Sequence, residues 1–431
     1  MNFTNLPPEL IEAILVLCDP IVVSKVAQTC TTLRSLIYFS PDSMLWRELY
    51  LTQDLDDPRI CVSHNGILKP TPIDWKKELK KVVRARTVVD DTSLGCLRRG
   101  ELEDILQTLL GLTTCVRPWT TDEIFDLEEL SKNLVWVAAK LRKGFLDRLV
   151  ERSSDSGTDS HAQPKLTFAE RQLAARLHTY FGLTKSDSMH RNIVKARAYV
   201  YLLRNYRPES DYGPYHPNGT VNWEHIRAVH HVVSTHVTDL DETTEFVYRI
   251  YLMSLPFTQV VAPHGFDFAK EEDWAGVTGL WSVSFCFCDH RELLQFNESS
   301  STTIDATLFE APDFREVFRS LNVNLVVART EKDPDHPTRP IIYFYGQMVD
   351  PSTPTMTGKI QMTPDNQVRW HFVSGEQGNA IWSSEGIQIG GLHSAYGILG
   401  SWTTIFHDAE DPVGPFWMRK HNHTHGDNPS P

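Results

Sequence analysis

The chain has 431 residues, of which 41% are hydrophobic and 23% are charged. This length allows two or three domains, because a single hydrophobic core rarely grows beyond about 250–300 residues. The formal net charge of -13 at pH 7 argues against a nucleic-acid-binding surface, which normally carries a basic stripe. We therefore expect an ordinary globular protein that has no nucleic-acid partner.

Seven cysteines are scattered along the chain, which fits reduced thiols better than a disulfide framework. The sequence begins without the basic and apolar pattern of a secretory signal. It also has no run of about 18 uncharged apolar residues, the minimum for a membrane-spanning helix. These features predict a cytoplasmic or nuclear protein without a membrane partner.

The first segment, residues 1–51, has the pattern of several short helices. Pro7 and Pro8 suit the first turn of a helix, and Leu10 and Ile14 then recur at helical spacing. Three further helical patterns follow before the segment ends. So small an all-α module cannot bury all of its apolar positions, so it should need a partner surface.

Three sequence blocks of this module occur in a familiar order: Leu6-Pro7-Pro8-Glu9-Leu10, then Val26 to Cys30, then Leu45-Trp46. This order resembles an F-box. The resemblance implies docking onto Skp1, the adaptor of cullin-RING ubiquitin ligases. The residues that it implies for Skp1 binding are Leu6, Pro7, Leu10, Ile14, Val26, Leu33 and Trp46. The alternative is that they form the core of a helical cap on the next domain.

The middle of the chain is helical wherever its pattern is clear. We expect a helical linker region over residues 52–152 and a second helical region over 164–262. Between them, residues 153–163 are polar, small and acidic, and they predict an exposed loop because they bury too little apolar surface to become ordered.

Four histidines crowd the last predicted helix of this region: His225, His230, His231 and His236. A zinc site would favour two of them three or four residues apart on one face. Their spacings of five, one and five residues give no such pair. We therefore interpret them as partly exposed helix residues and expect no metal.

Near Ala275 the pattern changes from helical spacing to alternation, as in Trp281 to Cys288, where large apolar residues share one face. Residues 363–367 have the composition of a hairpin turn. At least eight short strands predict an antiparallel β-barrel or sandwich over residues 275–420, followed by a disordered tail over 421–431. The predicted strands are Trp281–Cys288, Leu321–Val327, Ile341–Tyr345, Gly358–Met362, Val368–Phe372, Gly386–Gly390, Leu399–Phe406 and Phe416–Met418.

The first of these strands opens with Gly279-Leu280-Trp281, and Arg419 lies just beyond the last. This combination resembles the lipocalin pattern, in which a first-strand Gly-x-Trp closes one barrel end. The layout of the whole chain is similar to that of F-box proteins that read their substrates with a lipocalin-like barrel. Taken together, the two resemblances imply a multidomain α+β protein with an F-box, a helical middle and a lipocalin-like barrel.

Two groups of residues in this half could carry chemistry. Cys286-x-Cys288-Asp289-His290 suggests metal ligands, but a structural zinc site usually takes its other ligands from a second knuckle. We therefore expect reduced thiols and neither metal nor cofactor. Elsewhere, His407 could form an acid/base pair with Asp408 or Asp411, although no Ser or Cys in a nucleophile-elbow setting accompanies them. The Pro- and Gly-rich surroundings favour a turn, or a recognition loop at a barrel mouth.

A barrel mouth is the default binding site of such a fold. Arg291, Arg369 and His371 are our candidates for anchoring an acidic or carboxyl-bearing ligand. The complete set of candidate pocket residues is Trp281, Arg291, Arg369, His371, Trp382, Trp402, His407, Asp408, Asp411 and Trp417.

These observations lead to one principal hypothesis and one alternative. The first is a non-catalytic ubiquitin-ligase adaptor whose partners are Skp1, a cullin-RING complex reached through it, and a protein or peptide substrate. The alternative is a lipocalin-like protein that binds or senses a small molecule. A hydrolase built on His407 is a distant third.

Overall fold

A computed structural model describes residues 3–40, 43–120, 128–154, 165–238, 250–263, 265–298, 306–311, 313–348, 354–376 and 379–421. The protein is a mixed α+β structure in which helices occupy the N-terminal and middle parts and a closed antiparallel barrel forms the C-terminal part. Of the two predicted β architectures, the barrel is therefore confirmed. Most of the predicted polar loop (153–163) and of the predicted tail (421–431) lies outside the described residues.

Four short helices open the chain, as the sequence pattern predicts. Pro8 and Pro20 begin the first two, where a missing N–H breaks no hydrogen bond. The Asp19 carboxylate caps the second helix by accepting a hydrogen bond of 2.8 Å from the Ile21 amide. The four helices are α1 (Pro8–Val16), α2 (Pro20–Val26), α3 (Thr31–Phe39) and α4 (Met44–Leu51).

In the described residues of the middle of the chain, seven longer helices are present, in agreement with the predicted helical character. A two-residue strand pair, β1 (Val62–Ser63) with β2 (Cys115–Val116), was not predicted, because two residues are too few to show alternation. The helices are α5 (Trp75–Asp90), α6 (Leu102–Thr114), α7 (Lys132–Leu141), α8 (Phe145–Ser154), α9 (Phe168–Phe181), α10 (His190–Val200) and α11 (Trp223–Val237).

The barrel has eight strands, and each pairs with its neighbours in the chain. The last strand pairs with the first, with Trp417 opposite Ser284, so the sheet has no free edge. All eight predicted strands are present, and the predicted turn at 363–367 connects two of them. The strands are β3 (Gly279–Phe287), β4 (Val317–Glu331), β5 (Ile341–Met348), β6 (Pro354–Met362), β7 (Val368–Glu376), β8 (Asn379–Gln388), β9 (Ile398–Thr404) and β10 (Gly414–Lys420), with helices α12 (His290–Glu298) and α13 (Thr307–Glu310) between β3 and β4.

One end of the barrel is filled by aromatic side chains. The rings of Trp281 and Trp370 lie 5.2 Å apart, and Phe344 lies 5.5 Å from Trp370. Arg419 does not lie beyond the last strand, as the lipocalin-like pattern predicts, but within β10, with its guanidinium 5.7 Å from the ring of Trp417. Lys420 is the residue that pairs with Trp281.

The helical part and the barrel share one continuous cluster of buried apolar side chains, which extends from Ile11 to Met418. Hydrogen bonds also cross between them. The Tyr215 hydroxyl donates to the Gly386 carbonyl at 3.1 Å, and the Tyr396 hydroxyl donates to the carbonyl of Thr179 at 3.0 Å. None of the described helices combines the length and the apolar character needed to cross a lipid bilayer.

The histidines of α11 differ from the sequence-based interpretation. His225, His230 and His231 are buried rather than partly exposed, because α11 packs between α9, α10 and the barrel. Burial lowers the pKa of His225 to about 4 and that of His230 to about 3, since desolvation disfavours the charged imidazolium.

Candidate functional site: an apolar helical face and the open end of the barrel

The first helix has two apolar faces instead of one. Ile11 and Leu15 are buried in the core of the module. Leu10, Ile14 and Leu17 lie roughly 100° around the helix from these two residues and are 52%, 41% and 87% exposed. Their spacing of four and three residues places them in one stripe along α1, and the described residues leave this stripe uncovered.

The other predicted Skp1-binding residues fall into two groups. Pro7 is exposed, and Leu6 and Val26 are half-buried. Leu33 and Trp46 are buried, and the Trp46 indole N–H donates a hydrogen bond of 3.0 Å to the carbonyl of Ile37. Leu33 and Trp46 therefore hold the helices of the module together, whereas the other five residues are accessible to a partner.

The N-terminal module is attached to the middle of the chain through α4 and α5. The rings of Tyr50 and Trp75 meet edge to face at 5.6 Å. The Lys76 ammonium donates to the Tyr38 carbonyl at 3.1 Å and lies 5.5 Å from the ring of Trp46. These contacts fix the orientation of α1 relative to the rest of the protein.

The barrel encloses a cavity of about 420 Å³. Its walls are mainly aromatic and aliphatic, and Phe372 and Phe416 meet edge to face at 5.4 Å. Polar side chains are few, with Ser374 and Ser384 among them. A cavity of this size and chemistry is suited to a small apolar ligand or to an apolar side chain of a peptide.

Two predicted pocket residues, Trp382 and Trp402, line this cavity as a perpendicular pair with ring centroids 5.2 Å apart. The Trp402 indole N–H donates to the Cys286 carbonyl at 3.1 Å. Arg319, an exposed residue that also lines the cavity, has its guanidinium 5.6 Å from the ring of Phe287. Arg319 has no ion pair within the described ranges, so its charge is available to an anionic ligand group.

Arg369 and His371, by contrast, lie on the outer surface of the barrel. The Arg369 guanidinium forms a bidentate ion pair with Glu385, with hydrogen bonds of 2.9 and 2.8 Å. It also bonds Asp211 at 2.8 Å, and His371 Nδ1 lies 2.7 Å from the same Glu385 carboxylate. Arg369 and His371 are thus both engaged by carboxylates of this chain and are not directed into the cavity.

The loop between β9 and β10 contains three more of the predicted residues. The Asp411 carboxylate accepts hydrogen bonds from the Thr404 hydroxyl and from the Asp408 amide, and these bonds close the turn. The His407 ring stacks on Tyr212. Burial lowers the pKa of His407, although Asp411 acts in the opposite direction. Asp411 therefore serves the turn rather than orienting an imidazole as a general base.

The remaining predicted residues are dispersed. Trp281 is buried at the filled end of the barrel. Trp417 is buried on the outer side of β10 and donates to the Tyr396 carbonyl at 2.8 Å. Arg291 is highly exposed and pairs with Asp289 at 3.3 Å. Only Trp382 and Trp402 among the ten candidates line the cavity.

Sequence reasoning missed Arg319, the charged residue that lines the cavity. The predicted strand began at Leu321, whereas β4 begins at Val317. The alternating pattern in fact begins before Leu321, with Phe318 and Ser320 on one side of the strand and Arg319 on the other. This pattern is the signal that would have identified Arg319 as a residue of the strand.

Comparison with family models, with curated proteins and with solved structures finds no match to this chain. What the protein does must therefore be inferred from its own residues and their geometry.

Proposed function

We propose that this chain is a substrate-recognition subunit of a Skp1-cullin-F-box ubiquitin ligase. The exposed stripe of Leu10, Ile14 and Leu17 on α1 is the observation that supports the proposal most strongly. Exposed leucines occur singly on most proteins, but three in one stripe on a helix whose other face is already buried are typical of a protein interface. The order of the F-box-like blocks in the sequence makes Skp1 the partner of choice.

In this proposal the seven F-box residues have different roles. Pro7, Leu10 and Ile14 contact the adaptor directly, with Leu6 and Val26 at the edge of the interface. Leu33 and Trp46 act indirectly, because they hold the helices that present this surface.

The open end of the barrel is the proposed substrate-binding site. Trp382 and Trp402 offer flat apolar surfaces to a side chain, and Arg319 offers a positive charge to an acidic group. The chain itself makes no covalent bond in this scheme. It accelerates ubiquitin transfer by raising the effective concentration of the substrate near the activated ubiquitin that is to be transferred.

Co-purification of the full chain with Skp1 tests the proposal. A stable equimolar complex on gel filtration supports it. If both proteins are folded and elute separately at micromolar concentration, the adaptor role is excluded.

A second candidate function is the binding of a small molecule by a lipocalin-like barrel, and the cavity of about 420 Å³ favours it. An anilinonaphthalene sulfonate dye matches the cavity, because it combines aromatic rings with an anionic group that Arg319 could bind. Titration of the full chain should increase the dye fluorescence. Ser374→Trp, which fills the cavity, should abolish the increase, and Arg319→Gln should weaken binding several-fold. An unchanged signal in both variants would contradict this function.

A further inference from the structure

A cluster of three metal-binding residue types lies on the outer face of the barrel wall, on the other side of the sheet from the cavity. His236 comes from α11, Cys286 from β3, and Glu316 immediately precedes β4. One ligand atom from each residue lies within 4.8 Å of the other two. The closest pair is His236 Nε2 and Glu316 Oε2, which are 2.9 Å apart.

The fold explains why these residues meet. Cys286 is paired with Phe318 in the β3–β4 register, so their side chains lie side by side on one face of the sheet. The imidazole of His236 stacks on the Phe318 ring, with centroids 5.2 Å apart and planes 9° apart, and this places it beside Cys286. Glu316 precedes Phe318 by two residues and shares its face.

The Cys286 thiol belongs to the buried apolar cluster of the protein. The residue is 0% exposed and is a free cysteine, and its sulfur has no hydrogen-bond partner in the part of the chain that the structure describes. Burial and the nearby charge of Glu316 raise the pKa of this thiol. A bound dication would reverse that effect, because a coordinated thiol is deprotonated.

We propose that His236, Cys286 and Glu316 form a zinc site. Imidazole nitrogen, thiolate sulfur and carboxylate oxygen are the three ligand types that zinc uses in proteins, at about 2.0–2.3 Å from the metal. The ligand atoms of a tetrahedral site are then separated by roughly 3.3–3.8 Å. Small rotations of the three side chains would change the present separations between the ligand atoms to these distances.

The next thiol along the chain is Cys288, two residues beyond Cys286 and just after the end of β3. Cys288 is not one of the three residues whose ligand atoms lie within 4.8 Å of one another, so it would have to move toward them to become a fourth ligand. Arg197 donates a hydrogen bond of 3.0 Å to Glu316 and adds a positive charge. With Cys288 also bound, one carboxylate and two thiolates would offset the zinc ion and this guanidinium, so the buried site would be neutral as a whole.

Zinc in this position would connect α11 to the first two strands of the barrel. None of the three ligands belongs to the apolar stripe of α1 or lines the cavity, so the proposal does not depend on Skp1 docking or on the proposed substrate site. With Cys288 bound as a fourth protein ligand, the site would leave no position for a substrate, and its function would be structural.

Metal analysis of the full chain, purified without chelators, tests the proposal. We expect one zinc ion per chain by mass spectrometry. After exchange with Co²⁺, we expect an intense thiolate-to-cobalt charge-transfer band. Cys286→Ser and His236→Gln should each lose the bound zinc and the band, whereas Cys96→Ser should retain both, because the Cys96 thiol already donates to the Thr87 carbonyl at 3.7 Å.

Circular dichroism identifies any variant that fails to fold, and the metal content of the unmodified chain remains decisive in that case. If the unmodified chain takes up no stoichiometric zinc from a buffered zinc solution, the site does not exist. Equal zinc in the unmodified chain and in both folded variants would show that the metal is bound elsewhere.

Discussion

The imidazole of His407 lies flat on the phenol ring of Tyr212, with ring centroids 3.8 Å apart and planes 8° apart. Both residues have positive φ, of 55° and 56°. This conformation is unfavourable for side chains other than glycine and costs roughly 1–3 kcal/mol per residue. The stack joins the connection before α11 to the β9–β10 loop, so each strained loop is held in place by the other.

Removal of the stack should therefore loosen both loops. We expect Tyr212→Ala to lower the free energy of unfolding by about 1 kcal/mol, which is typical of an aromatic pair, and to speed amide hydrogen exchange in residues 405–411. Tyr212→Phe keeps the ring and is the matched control. Unchanged exchange in Tyr212→Ala would show that the stack does not order the loop.

The Glu385 carboxylate contacts the Arg369 guanidinium and the His371 imidazole on the outer surface of the barrel. Its side chain is 7% exposed, and that of Arg369 is 13% exposed. Glu385→Ala would leave the Arg369 charge with Asp211 as its remaining carboxylate partner in the described residues, and we expect a loss of about 3 kcal/mol in urea unfolding.

Glu331→Ala is the control for this measurement, because the Arg329–Glu331 pair is about half exposed on both sides. The free energy of unfolding of the Glu331→Ala variant should stay close to that of the unmodified chain. Equal effects of the two substitutions would contradict a special role for the buried pair.

The buried histidine His225 should make the protein sensitive to acid. Its pKa is lowered to about 4 in the folded chain, whereas an unfolded histidine titrates at about 6.5. Between these values the unfolded state binds the additional proton, so stability is fully present above pH 6.5 and falls as the pH is lowered, by about 1.4 kcal/mol per pH unit.

His225→Phe removes this contribution and retains a ring between Tyr199 and Tyr206, whose centroids lie 5.5 Å from that of the histidine. The variant should also gain about 1 kcal/mol at pH 7, because the His225 Nε2 atom is buried without a partner in the described structure. Urea unfolding at several pH values measures both effects. A pH dependence between 6.5 and 4 as steep as that of the unmodified chain would contradict the assignment.

The barrel could be predicted from the sequence because alternation is a local signal. In Trp281 to Cys288 each residue type shows which side of the strand it occupies. Alternation does not show which side faces the lumen. Helices cover part of the outer surface of the barrel, so residues on that surface are also partly buried. The local sequence pattern around Arg369 and His371, which lie on the outer surface, is therefore the same as that of residues that line a pocket.

The N-terminal module illustrates the same limit. Helical spacing predicts the four helices of the module. It does not distinguish an exposed residue from a buried one, because Leu10 and Trp46 are both apolar positions of the F-box-like pattern. The structure separates them because Trp46 is covered by Tyr38 and Lys76, and Lys76 belongs to α5, outside the module. Such contacts between distant parts of the chain leave no trace in local periodicity.

The dissociation constant of the complex between Skp1 and the full chain tests the docking of α1 most directly. Leu10→Asp with Ile14→Asp changes exposed positions and should preserve the fold, whereas Trp46→Ala would disturb the core. Val135→Asp, at a 51% exposed position of α7, is the matched control. We predict that Skp1 binds the unmodified chain and the control equally, and binds the double variant at least about a hundredfold more weakly. Equal binding of all three chains, or no binding to the unmodified chain, would contradict the proposed function.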